Sequence, residues 1–201
     1  MQTRTAASKQ PAPRIRDKRA AILKAALKVF AEGGVNGVPM PALAEQAGVG
    51  TGTIYRYFAS KEILVNELFR EQKAAVEQRL YGGLDLQAPP RQLFEQIWER
   101  MLGYSREAPD AYRFLELQDH RPYLDQQSRE TELRMLRRVA SQYRALQQRG
   151  IFRNDLRAEV LMTLVWGAFV HLVKAERDGH MQLSNADAEA ARNACWALCT
   201  G

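Results

Sequence analysis

Gly48, Gly50 and Gly52 punctuate the stretch Ala47-Gly48-Val49-Gly50-Thr51-Gly52-Thr53-Ile54-Tyr55-Arg56-Tyr57-Phe58-Ala59-Ser60-Lys61. Gly48 can take the left-handed conformation that ends a helix, and Gly50 with Gly52 lets backbone come close to whatever the next helix touches. The stretch predicts the turn and second helix of a helix-turn-helix, then the first residues of the following helix. At 3.6 residues per turn Val49, Ile54 and Phe58 face inward, while Thr53 and Tyr57, four apart, share another face with Arg56 near its edge. Hydroxyl and phenol groups hydrogen-bond phosphate, and a guanidinium forks onto guanine. Such a face suits duplex DNA; an ordinary solvated helix face is the alternative, because the geometry is not confined to DNA readers.

The charge distribution agrees with a reader at one end. Residues 1–61 hold ten Lys and Arg against three Asp and Glu, a net +7 that leaves −1 on the other 140. Lys and Arg supply the salt-dependent phosphate attraction of nucleic-acid binding; a solubilising tail is the plainer reading. With 46% hydrophobic and 26% charged residues the composition is that of a globular protein.

The residues Gly-Val-Gly-Thr-Gly-Thr-Ile-Tyr-Arg-Tyr-Phe-Ala-Ser-Lys-Glu from Gly48 to Glu62 closely resemble the signature of the TetR family of bacterial transcriptional regulators, from about Arg16 to Leu68. The resemblance implies that Thr51, Gly52, Thr53, Tyr55, Arg56, Tyr57 and Lys61 contact DNA. The preceding helix opens Val38-Pro39-Met40-Pro41-Ala42, where the family usually has hydroxyl and often basic residues, a departure that bears on whether that helix start touches phosphate.

Residues 1–14 have no apolar period and are expected as a basic arm, either solvated or laid in a minor groove. From Arg16 to about Glu32, Ile22, Leu23, Ala26, Leu27 and Phe30 recur at helical spacing until Gly33-Gly34, with Lys18, Arg19, Lys24 and Lys28 on the solvent side. Ser60 is a good N-cap for a long connector helix ending at Tyr81-Gly82-Gly83. Domain boundaries are expected at 1–14 for the arm, 15–62 for the reader and 63–201 for an effector-binding and dimerisation domain. Further helices follow: Leu93–Leu102, a shorter one through Phe114, a long one from Pro122 to Gly150, then about Asp155–Arg177 and Ala186–Thr200. No strand pattern occurs, so the fold class is all-α.

The helix after Asp155 is apolar nearly all round, too much for one intramolecular face. It predicts a four-helix, two-fold interface between two copies through Leu161, Val165, Phe169 and Leu172 with Ala190, Ala194 and Leu198 of the last helix; a central core helix in a monomer is the alternative. Trp98, Met101, Tyr104, Phe114, Tyr143 and Trp166 supply aromatic and soft apolar surface for a small-molecule site or a core, and His120 and His171 are its candidate polar anchors. The resemblance implies an effector cavity in this domain.

Glu116, Asp119 and His120 lie close in sequence and would have to converge on a cleft to support acid-base or metal chemistry. No nucleophile elbow, phosphate-cradling loop or paired metal motif accompanies them, so neither enzyme nor metal nor cofactor is expected. Cys195 and Cys199, four apart, read as buried packing. No signal-peptide core is present, and the apolar run Val160–Val173 falls short of a bilayer span, so a cytoplasmic location without membrane insertion is expected. The combined reading is a dimeric regulator of a palindromic operator, most often a repressor in this family, released by an effector. A regulator without an effector is the second reading.

Overall fold

The computed structural model describes residues 15–201, and the arm expected over residues 1–14 lies outside them. The described residues are helical throughout, without a strand. Helix α1 spans Ile15–Gly37 and is kinked at Gly34, whose φ of 66° breaks the ladder where the Gly33-Gly34 stop was expected. Ile22, Ala26 and Phe30 are fully buried on its inner face. Helix α2, Met40–Gln46, carries Pro41 in its first turn, where the missing N–H costs nothing, and buries Leu43 and Ala44. Gly48 turns the chain at φ 65°. Helix α3 covers Thr51–Tyr57, and Ile54 with the following Phe58 seals it onto the three-helix core.

Helix α4 runs from Lys61 to Tyr81 under the Ser60 cap, whose Oγ accepts the Ile63 N–H at 3.3 Å. After the loop come α5, Pro90–Glu107, and α6, Pro109–Tyr112. The chain then passes without a break into a π-helical turn, Arg113–Leu117, which the apolar spacing does not foretell. A 3₁₀ turn, Arg121–Tyr123, precedes α7, Gln126–Gln148, and two last helices follow, α8, Ala158–Arg177, and α9, Asn185–Thr200.

Pro122 was expected to start the long helix but sits in the 3₁₀ turn, and α7 begins four residues later. The cause is Asn66 of α4. Its Nδ2 donates to the Tyr123 carbonyl at 2.7 Å, and its Oδ1 accepts the Asp125 N–H at 2.8 Å, which holds Leu124 extended. Asp125 then caps α7 by accepting the Ser128 N–H.

One hydrophobic core runs from the three-helix end into the larger helical body. The rear of α1 rests on α6 and the π turn, and Gln118 Nε2 donates to the Ala31 carbonyl at 3.1 Å just before the kink. Cys195 and Cys199 are free and buried, and burial pushes the Cys199 thiol up to about 12. Helix α8 as a whole is long and apolar enough to cross a bilayer by length and composition, although Leu161, Val165, Phe169 and Val173 pack inside the protein.

Candidate DNA-reading face and effector core

The short α3 presents its polar side outward. Tyr55 is 49% exposed, Arg56 and Gly52 are exposed, and Thr51, Thr53 and Tyr57 are half-buried. A Cβ added at Gly50 or Gly52 would meet no atom within 4 Å, so the backbone here is open to close approach. Beside it, Lys18 of α1, Ala47 to Gly50 of the turn and Thr53 of α3 line a shallow groove.

Two of the basic residues are engaged within the protein. Lys61 Nζ donates to the Val38 carbonyl at 2.5 Å and stands 5.8 Å from the Phe30 ring centroid, and burial lowers its pKa. It thus ties the start of α4 to the entry of α2. Arg19 pairs with Glu67 and lies over the Phe58 ring.

In the larger body the predicted aromatics fall into two sets of ring contacts, one running from Trp166 through Phe169 and Trp98 to Tyr143 and the other around His120. Trp98, Tyr104 and Trp166 gather around Phe169: Trp98 meets its ring edge-on at 5.3 Å, Trp166 lies tilted at 5.9 Å, and Tyr104 reaches it through Tyr112. Met101 is buried on the same helix as Trp98. Phe114 and His120 form another cluster with Phe69 of α4, at 4.8 and 5.3 Å from the imidazole. Tyr143 packs on Phe152, which leads through Trp196 and Phe94 to Trp98. His171 is exposed, two residues beyond Phe169 and hence on the opposite side of α8, so it does not join these groups.

Glu116, Asp119 and His120 diverge. Glu116 accepts the Trp166 indole N–H at 3.1 Å, with Lys73 of α4 3.9 Å away; Asp119 is exposed and accepts the Arg121 N–H; His120 Nε2 lies 3.3 Å from the Leu115 carbonyl. Burial holds the Glu116 carboxyl above its ordinary range, opposed by Lys73, and burial holds the His120 pKa below its usual value.

Lys73 was not singled out from the sequence, although the signal was there. It follows Phe69 by four and precedes Val76 by three, so it is a cation on the apolar stripe of α4. Its ammonium lies between Glu116 and Glu132 of α7. Tyr112 was not singled out either, because beside Phe114, Leu115 and Leu117 it reads as one more packed residue of a short apolar helix.

The reader segment and the helical body both have counterparts among known families. The model described as "Bacterial regulatory proteins, tetR family" matches residues 22–68, and that described as "Tetracyclin repressor-like, C-terminal domain" matches residues 69–200. The chain belongs to the TetR family. A TetR-family regulator from Vibrio parahaemolyticus has the same fold, with a TM-score of 0.74 and 29% identity over 91% of this chain and 98% of that one. The Escherichia coli K12 protein described as "Probable acrEF/envCD operon repressor" is 28% identical over 171 residues, 78% of this chain and 74% of that protein. The repressor KstR of Mycolicibacterium smegmatis is 49% identical over 57 residues, 28% of each chain.

This TetR-family chain is therefore a DNA-binding transcriptional regulator with an N-terminal helix-turn-helix and a larger C-terminal helical domain, and not an enzyme. Its last two helices leave apolar surface uncovered. On α8, Leu161, Val165 and Phe169, expected at the interface between two copies, are instead buried within the subunit against its other helices, whereas Leu164 is 44% exposed and Ala168 is exposed, with Leu172 between. On α9, Ala190 and Ala194 are exposed and Leu198 is half-buried.

Proposed function

We propose that two copies of this TetR-family regulator repress transcription by binding a palindromic operator. Each lays α3 in a major groove, and a small molecule held among the C-terminal helices releases the pair. The outward face of α3, with Arg56 and Tyr55 projecting beside an unobstructed glycine backbone, carries the reading. Arg56 is the base-reading candidate, and Thr51, Thr53, Tyr55 and Tyr57 supply phosphate and groove contacts. Lys61 has two N–H bonds beyond the one given to Val38, enough for a phosphate at the start of α4. The names of the E. coli and KstR relatives support repression as the sign of regulation.

The dimer is supported by the outer faces of α8 and α9, where Leu164 and the half-buried Leu172 offer apolar surface and Ala168, Ala190 and Ala194 are small enough for close helix approach. The reader is taken to end near residue 62, ahead of an effector and dimerisation domain, and the change of family model between residues 68 and 69 supports a division in α4. Communication runs through the contact of α1 with the π turn. Glu116 sits in that turn and Gln118, just beyond it, holds the Ala31 carbonyl. An effector that favours the released form by about 1.4 kcal/mol weakens operator binding tenfold.

Selection of the purified protein against random duplex DNA at two salt concentrations tests this function. Enrichment of a two-fold symmetric motif is expected. Binding without a motif, or none at either salt, would overturn it.

A further inference from the structure

Lys18 of α1 is the one charged residue that lines the groove beside α3. The groove has a volume of about 420 Å³ and runs from Lys18 and Ala21 across the turn, Ala47 to Gly50, as far as Thr53. Its walls are small side chains and main chain, and a Cβ added at Gly48 or Gly50 would meet nothing within 4 Å. Among the described residues no carboxylate lines it, so an anion laid there meets an ammonium and no like charge. Lys18 is half-buried and makes no ion pair among the described residues. Its stem therefore rests on the protein while its ammonium reaches the rim.

The other basic residues of the reader are placed differently. Arg19 is held by Glu67 and Phe58, and Lys24 and Lys28 are exposed on α1 but do not line the groove. The start of α2 has little to give a phosphate: Val38, Pro39, Met40, Pro41 and Ala42 carry no side-chain donor, and Pro41 has no N–H. A helix lying in a major groove has a phosphodiester strand on either side. Lys61 stands beyond the C-terminal end of α3 and Lys18 beside its N-terminal end, so the two cations bracket the reading helix.

We propose that Lys18 anchors the phosphodiester strand on the turn side of each half-site, seating it in the groove over Gly48 and Gly50. With no side chain to contribute from the start of α2, the phosphate grip of this reader is divided between Lys18 and Lys61. Lys18 fixes where α3 sits in the major groove and reads no base itself. The inference rests on the reading of α3 given above and adds a positioning residue to it.

Phosphate ethylation interference on the selected operator tests it, comparing the parent protein with Lys18→Met and Lys24→Met. Ethylating a contacted phosphate weakens binding by the parent. In Lys18→Met one phosphate in each half-site loses that effect and the others keep theirs. Titrations over a range of salt should show weaker binding of this variant to every duplex, with a slope shallower by about one per copy. Lys18→Arg keeps the charge and restores the slope, the preferred base sequence is the same in all variants, and Lys24→Met behaves as the parent. Should Lys18→Met not fold, Lys18→Gln removes the same charge without adding apolar surface. An ethylation pattern unchanged by the loss of Lys18, an equal effect of Lys24→Met, or an altered base preference overturns the proposal. A parent protein that binds no operator overturns the reading of α3 and this inference with it. A parent that selects a motif without any phosphate depending on Lys18 overturns this inference alone.

Discussion

Lys61 serves both the stability of the reader and, in the proposed complex, its grip on DNA, whereas Arg56 projects freely from α3. The two should therefore separate experimentally. Lys61→Ala removes the bond to the Val38 carbonyl and costs about 1–2 kcal/mol of folding stability. It also weakens binding to every duplex and makes the salt slope shallower by about one. Arg56→Ala leaves urea denaturation unchanged and relaxes preference at one base position by about 1–3 kcal/mol. A uniform loss over all sequences for Arg56→Ala would reassign it to phosphate. His120 gives a pH signature. Burial, with Lys73 adding to it, holds its pKa below the ordinary 6.5, against the opposite pull of the Leu115 carbonyl, Glu132 and Asp119. The unfolded chain thus takes up a proton that the fold resists. The stability contributed is complete above pH 6.5 and is lost as pH falls through the lowered value. Thermal melts across that interval should show a smaller acid loss in His120→Asn than in the parent protein.

Among the elements, the kink of α1 carries a demand that only glycine meets. Gly34 holds φ 66°, and a Cβ there would come within 3.0 Å of Gln118 Oε1, the side chain that ties the π turn to α1. Gly34→Ala should cost about 1–3 kcal/mol, because φ 66° with ψ 166° is a conformation that essentially only glycine adopts. Gly37→Ala, where an added Cβ meets nothing within 4 Å, should stay within about 0.5 kcal/mol. Equal effects in chemical denaturation would mean that the kink relaxes freely. The π turn is the less expected element. It inserts a residue between α6 and the loop, so that Phe114 and Leu115 are both buried while Glu116 points to Lys73 and Trp166. Apolar spacing at 3.6 residues per turn cannot show such an insertion, because it lies between two stretches that each keep the ordinary period.

The two sides of α8 give the test for the whole molecule. Leu161 is fully buried, so Leu161→Ala should cost about 2–5 kcal/mol in unfolding and leave the assembled state a dimer. Leu164 lies on the uncovered side, so Leu164→Glu should fold normally, sediment as a monomer and bind the operator far more weakly than the parent. A dimeric Leu164→Glu protein would place the subunit contact on another surface. Operator binding joins the two scales, because losing the second reader removes one half-site from recognition.

Local chemistry determined much of this protein by itself. Gly48 and the short run to Phe58 specify the turn and the bounds of α3, Ser60 specifies the start of α4, and the basic first third marks the nucleic-acid end. These features depend on residues close together in the chain, where backbone conformation and a 3.6-residue period decide the outcome. Which aromatics share a neighbourhood was decided only by tertiary packing: Tyr143 went to Phe152, Phe114 to His120, and His171 to the outside. The same packing delayed α7, through the grip of Asn66 on residues 123–125, and brought Lys73 and Glu116 together beneath the partly exposed Glu132, each from a separate element. An apolar stripe says that a helix is covered, but the partner that covers it is set by the crossing of helices far apart in sequence.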